Sequence, residues 1–500
     1  GRHRGGGLGG DLFAIEWDAK TGKLTGLNAS GWAPQKLTVK FLHSKGFKQM
    51  PHSGIDSVTV PGCVEGWWKL HQKFGRLPWA ELFQPAIYYA SHGFPVAEWD
   101  SNYWKSAAHV LEHNEEAKRV FLPRGNPPEV GSVFRNPDYA KALALVARQG
   151  ESAFYRGAIA KALLKTSEEL GGVMTASDLG QFQAQWVKPI STTYRGWTVY
   201  ELPPNGQGMA ALEMLNIMER FPLPNYGPLS AKRFSIEMAA QKLAYADLFR
   251  YLGDPRFVSV PFEGLISKPY ADERVKLIDP EHAHCDVQPG MPPGIRSRTA
   301  SALPRPGNDT NYLTAVDSEG NIVSLIQSLS GAFGSGVAVR GYGTLLQNRG
   351  GGFVLDPRSP DVLAPRKRPF HTIIPAFMQK GSLHIGFGIM GGLNQPQAHA
   401  QFVSDIVDYG MNIQAALEFP RFTKLDHSGC DFTIENRVPK ATLEALRRMG
   451  YVLNVKGPFT SSVGGGQAVM HDSATDVNYG ASDPRKDGEA VPEPGPYFKQ

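Results

Sequence analysis

Two short apolar runs, Leu12–Trp17 and Leu24–Leu27, flank the polar segment Asp18-Ala19-Lys20-Thr21-Gly22-Lys23, which carries its glycine where a turn needs one. This is the signature of a β-hairpin. From Val64 to about Leu179 the apolar residues recur at three-to-four spacing, as over Trp79–His92 and Ala140–Gln149, and predict helices. Ser177-Asp178 reads as a helix cap or turn. β-Branched and aromatic residues over Ile190–Leu202 predict a return to strand. Pro203-Pro204-Asn205-Gly206-Gln207-Gly208 then turns the chain into a helix over Met209–Glu219. A longer helix is expected over Arg233–Leu252, stopped by Gly253-Asp254-Pro255. From Glu281 to about Asn308 proline, glycine and histidine dominate without periodicity, which predicts a flexible, exposed segment. Strands follow at Tyr312–Val316 and Ile322–Ser328, joined by the turn Asp317-Ser318-Glu319-Gly320-Asn321, then at Leu383–Phe387 and Gln467–His471. Phe402–Tyr409 and Lys440–Met449 read as helices. The order predicts stacked sheets enclosed by helices in one large α+β unit.

Composition narrows the functions open to such a unit. Of 500 residues, 41% are hydrophobic and 20% charged, as in ordinary globular proteins. The net charge of +5, from 52 Lys and Arg against 47 Asp and Glu, is too small and too scattered for a nucleic-acid partner. The one tight basic cluster, Arg366-Lys367-Arg368, reads as a solvated loop. No apolar run is long enough to predict a membrane span. Gly1-Arg2-His3-Arg4-Gly5-Gly6-Gly7 has no signal-peptide apolar region and leads straight into a strand, so the chain is expected to begin inside a domain. Cytoplasm and periplasm both stay open. Cys63, Cys285 and Cys430 are too widely spaced to predict a disulfide framework or a zinc site. His282-Ala283-His284-Cys285-Asp286 offers ligand types at no standard zinc spacing, so neither metal nor cofactor is expected.

The chemistry centres on Thr310, which heads a strand directly after the irregular segment. A cut before it would give the residue a free α-amine beside its hydroxyl, joining base and nucleophile in one side chain and terminus. Ser328 ends the partner strand and can face Thr310 across the pair. Gly391-Gly392 follows a strand; such glycines either make a tight turn or present backbone N–H groups to a developing oxyanion. Phe333-Gly334-Ser335-Gly336-Val337 lacks the lysine of a phosphate loop and reads as structural. His371, beside Pro369-Phe370, reads as a structural or substrate-contacting histidine. A serine hydrolase pairing Ser328 with His371 is a weaker reading, since no Gly-x-Ser-x-Gly elbow occurs.

Asp309-Thr310-Asn311-Tyr312-Leu313-Thr314-Ala315-Val316-Asp317-Ser318-Glu319-Gly320-Asn321 resembles the processing site of γ-glutamyltransferases. Val60-Pro61-Gly62-Cys63-Val64-Glu65-Gly66-Trp67, Tyr251-Leu252-Gly253-Asp254-Pro255, Lys367-Arg368-Pro369 and Tyr479–Arg485 extend the likeness over nearly the whole chain. The resemblance implies an N-terminal nucleophile (Ntn) hydrolase with a four-layer αββα sandwich. It implies self-cleavage between Asp309 and Thr310 into a large subunit, 1–309, and a small subunit, 310–500, that form one globular unit. Heterodimers of this kind can assemble further into a homo-oligomer. Thr310 would then be the nucleophile, Ser328 its hydroxyl partner, Gly391 and Gly392 the oxyanion pair, and the substrate a small-molecule amide. The pocket departs from the family pattern. Ser30 or Trp32 stands where an arginine holds the glutamyl carboxylate, and in the loop Asn348-Arg349-Gly350-Gly351-Gly352-Phe353 glycines replace the acid that holds the amine while Arg349 is cationic. His371-Thr372 replaces a serine pair, and Ser330 replaces an asparagine contact. The resemblance thus implies a γ-glutamyltransferase-like amidohydrolase or acyltransferase. A glutaryl or cephalosporin-type acylase, an oxamate-like amidohydrolase and an uncleaved, non-catalytic scaffold are the alternatives.

Overall fold

The computed structural model describes residues 5–295, 307 and 309–493. Two antiparallel sheets organise them. The first runs Gln185–Val187, Lys23–Ala29, Asp11–Asp18, Ile322–Ser330, Asp309–Val316. The second runs Val477–Ser482, Gly465–Asp472, Leu383–Met390, Ala376–Lys380, Trp197–Glu201, Ile190–Tyr194. Their inner faces meet where Phe13, Ile15, Trp17, Ile322 and Ile326 pack on Leu202, Ile373 and Phe377. On the outside of the second sheet, Met378, Ile385, Phe387 and Ile389 pack against the helices Gly208–Met218, Ala231–Tyr251 and Gln395–Val407. On the outside of the first, Leu12, Ala14, Leu27 and Leu325 lie under Cys63 of the helix Cys63–Phe74. This is the four-layer αββα sandwich of the Ntn-hydrolase fold, each apolar face buried against the next layer.

Most predicted elements form near their predicted bounds, and the differences have local causes. Ile190–Leu202 is two strands, because Arg195 and Gly196 both take positive φ and fold the run into a hairpin. The helix predicted from Phe402 starts at Gln395 instead, with Pro396 in its first turn, where a missing N–H costs no hydrogen bond. Thr175, not Ser177, caps the helix Ala176–Gly180, and Asp178 closes the capping box.

Three expectations are overturned. Arg366-Lys367-Arg368 is no solvated loop: Lys367 and Arg368 are each 2% exposed. Lys367 Nζ donates to the carbonyls of Pro360 (2.6 Å) and Val362 (3.0 Å), and Arg368 Nε donates to Ser30 O (3.0 Å). Arg366 lies over the Trp32 ring and pairs with Asp178. Buried loop carbonyls need donors, and these cations supply them. Lys367→Met, which strips two carbonyls of their partner, is expected to cost about 2–3 kcal/mol, read as a lower urea midpoint at unchanged slope.

The first half of the segment predicted to be flexible is tied down. Ala283 N–H donates to Met449 O (2.7 Å), Gly290 N–H to Asp247 (2.6 Å), and Tyr251 OH to Gly290 O (2.7 Å). Residues 296–306 and 308, the rest of it apart from Gly307, lie outside the described residues. The cysteine expectation also fails, because Cys285 and Cys430 form a disulfide across a sequence separation of 145. The fold brings together what spacing alone could not, and Cys285 is thereby withdrawn from any ligand set.

Candidate active site

Thr310 sits at an irregularity in the edge strand of the first sheet. Asp309 pairs with Ser330 and Asn311 with Gln327, so the register slips between them. The extra residue is on the partner strand, where Ser328 and Leu329 together lie opposite Thr310, and such bulges recur beside reactive groups. Thr310 is 2% exposed, and its Oγ1 donates to Ser328 Oγ at 3.2 Å. Ser328 Oγ also accepts from Ser330 N–H at 2.7 Å and donates its own proton to the carbonyl oxygen of Asp309, also at 2.7 Å. The sequence-predicted pair is therefore in contact, and the serine hydroxyl lies on the carbonyl that precedes Thr310.

The glycine pair lies at the end of the facing strand, Leu383–Met390. A Cβ on Gly386 would meet Thr314 and Ser324, and one on Gly388 would clash with the Tyr312 ring. The two strands thus cross with Gly386 over Thr314 and Gly388 over Tyr312, on the way to the glycine pair. Gly391 (φ 138°) and Gly392 (φ 62°) turn the chain into a short 3-10 turn and the helix Gln395–Val407. Both φ values are in the region that favours glycine. The turn is braced from below. Gln207 Nε2 donates to Gly392 O (2.8 Å) and Thr372 O (2.6 Å), and Tyr245 OH donates to Leu393 O. His399 Nε2 accepts from Ile389 N–H (3.0 Å), so its other ring nitrogen donates to Glu201 (2.7 Å).

The remaining candidates surround a buried arginine. Arg349 is 2% exposed, and Nη1 donates to Thr372 Oγ1 at 2.8 Å. Its Nε and Nη2 find no partner among the described residues. Arg349 is joined to the Thr310 strand pair by its neighbour Asn348, whose N–H donates to Leu329 O (3.1 Å) and whose Oδ1 accepts from Gly331 N–H (2.9 Å). Ser330, at φ 81°, uses its Oγ to accept from Gly307 N–H at 3.1 Å. His371 is fully buried: Nδ1 accepts from Ile373 N–H, which leaves Nε2 to donate to Asp11 at 3.1 Å. Burial, with Arg349 and Arg368 nearby, holds its pKa well below the usual value. His371 is thus committed to Asp11 and is not a base for Ser328. Burial pushes Asp11 up to about 7 against the pull of Arg349, and burial lowers Arg349 to about 10. Ser30 does not substitute for an arginine, since its hydroxyl is held by Asn28 (2.7 Å).

Sequence reasoning missed Asp11, Gln207, Asn348, Glu201 and His399. None sits in a motif that names its role. The available signal was chemical: an acid between a Gly-Gly pair and an apolar strand, and a glutamate ending a strand, each due for burial and so for a partner.

A family model described as Gamma-glutamyltranspeptidase matches residues 2–493. The Glutathione hydrolase-like YwrD proenzyme of Bacillus subtilis is 34% identical over 97% of this chain and 90% of its own length. The Oxamate amidohydrolase proenzyme of Klebsiella pneumoniae is 31% identical over 97% and 90%. Among solved structures, the cephalosporin acylase from Bacillus halodurans superposes with a TM-score of 0.91 at 38% identity, covering 99% of this chain and 89% of that one.

Proposed function

The chain belongs to the gamma-glutamyltranspeptidase family, and we propose that, as an Ntn-type amidohydrolase/acyltransferase, it makes its own nucleophile by cutting the Asp309–Thr310 bond. The Ser328 hydroxyl on the Asp309 carbonyl oxygen carries this reading. Thr310 Oγ1 attacks the Asp309 carbonyl carbon while Ser328 stabilises the negative charge growing on its oxygen. Collapse of that intermediate breaks the C–N bond and leaves an ester on Thr310 with a free α-amine. Water hydrolyses the ester and releases a large chain, 1–309, and a small chain, 310–500. The new terminus then repeats the attack on a small-molecule amide. The α-amine takes the hydroxyl proton, the amide N–H groups of Gly391 and Gly392 receive the oxyanion, and water or an acceptor amine resolves the acyl-enzyme. Arg349 and Thr372 hold an anionic end of the acyl group, Ser330 offers a further hydroxyl contact to it, and His371 with Asp11 sets the charge beside Arg349.

Terminal sequencing and intact mass should place the cut immediately before Thr310. Ser328→Ala removes the donor on the scissile carbonyl and should slow cleavage by roughly 10²–10³-fold. A cut at another bond, or an unchanged rate in Ser328→Ala, would sink this assignment.

A further inference from the structure

Cys285 lies before the Asp309–Thr310 bond and Cys430 after it. We propose that the Cys285–Cys430 disulfide is a covalent tie between the two chains that self-cleavage creates, and that Lys242 makes this tie open readily to a dithiol reductant. The inference rests on the cleavage reading above. Without cleavage the bond is an internal staple; with it, the disulfide is the one covalent link between the chains among the described residues.

The surroundings favour a bond that opens. Cys285 is exposed and reachable by a thiol, whereas Cys430 is 6% exposed. A thiolate therefore attacks Cys285 Sγ, the S–S bond breaks, and Cys430 leaves as a thiolate. Lys242 Nζ lies 3.9 Å from Cys430 Sγ and donates to His284 O at 2.5 Å, so a fixed ammonium receives the leaving charge. A leaving thiol stabilised in this way departs faster. The reductant's second thiolate then resolves the mixed disulfide at Cys285, and two electrons pass from the dithiol to the pair. Burial lowers the Lys242 pKa to about 8, Lys424 adds to this, and Asp286, Asp426 and Asp431 oppose it, so the ammonium predominates at neutral pH and the reduction is compared there.

The tie is not what holds the folded chains together. The first sheet alternates between them, with Asp11–Asp18 paired to Ile322–Ser330. Reduction should therefore leave the native mass unchanged while lowering the melting temperature by several degrees. The tie fixes a segment bound to the same helix that supports the glycine turn, since Gln241 donates to the carbonyls of Lys424 and Asp426 while Tyr245 donates to Leu393 O.

The test is a denaturing gel of the purified protein with free thiols blocked, run with and without reductant. One full-length band without reductant and two bands with it are expected, and Cys285→Ser should give two bands in both lanes. Two bands from the unmutated protein without reductant would overturn the tie and leave the cleavage reading intact. One band in both lanes would overturn the cleavage reading and the tie with it. For Lys242, the rate of dithiol reduction of the folded protein should fall about tenfold in Lys242→Met and be kept in Lys242→Arg. Equal rates in all three proteins would remove Lys242 from the proposal.

Discussion

Thr310→Ala is expected to remain a single full-length chain and to lose amide turnover by at least about 10⁴-fold. The substitution is small, but it removes one oxygen with two successive uses. In the precursor that oxygen is the proposed nucleophile toward the Asp309 carbonyl, whose oxygen Ser328 already holds at 2.7 Å. In the proposed mature enzyme it would again be the nucleophile, and without cleavage the base would be missing too, because the α-amine stays an amide. The two losses are one event, so turnover does not fall in stages. The fold should survive: Thr310 heads an edge strand, and the change costs one 3.2 Å hydroxyl bond and a methyl group. Thr310→Ser keeps the oxygen and should keep both cleavage and turnover at reduced rates. An Ala variant that still cleaves, or that turns over amide while uncut, would remove Thr310 from the mechanism. An uncleaved wild-type chain without amidase activity would favour the scaffold reading instead.

The contact between Thr310 and Ser328 was legible before the fold was known, and what was not legible has a physical cause. Thr310, Ser328 and the Gly391-Gly392 turn are each marked by local chemistry at a strand end, where a hydroxyl or a pair of glycines stands out against the apolar run. The strands and long helices were readable for the same reason: each buries one face, and its periodicity shows it. Local pattern does not encode what a distant segment will place alongside. Lys367 and Arg368 look solvated in sequence because cations usually are, and only the fold reveals the carbonyls of Pro360, Val362 and Ser30 that they satisfy. Cys285 and Cys430 look unrelated until helix Ala231–Tyr251 brings both beside Lys242. Asp11 carries no motif, yet its burial against His371 sets the charge beside Arg349.

Arg349→Met should leave self-cleavage intact, raise KM for carboxylate-bearing acyl donors about a hundredfold, and leave the protein as stable as before or more so. The first expectation follows because Arg349 touches neither the Asp309 carbonyl nor Thr310 in any described contact. The second follows because a guanidinium with Nε and Nη2 unpaired inside the protein presents a fork for a carboxylate, and losing a desolvated charged partner costs about 2–5 kcal/mol of binding. The third separates a binding role from a structural one. A structural buried arginine satisfies its donors, and its removal destabilises. The Arg349 guanidinium has Thr372 as its one hydrogen-bond partner among the described residues, so a methionine of similar volume relieves a desolvation cost. Asp11 would not be stranded by the loss of the charge, because burial already holds it near neutral pH and the missing guanidinium lets it take up a proton. Oxamate, a glutaryl amide, glutathione and a γ-glutamyl anilide, compared in wild type and Arg349→Met, provide the measurement. Donors whose carboxylate reaches Arg349 should lose most, and amides without a carboxylate should lose little. Equal losses across the panel, or a fall in melting temperature with KM unchanged, would make Arg349 a structural cation and reopen the question of what the pocket binds.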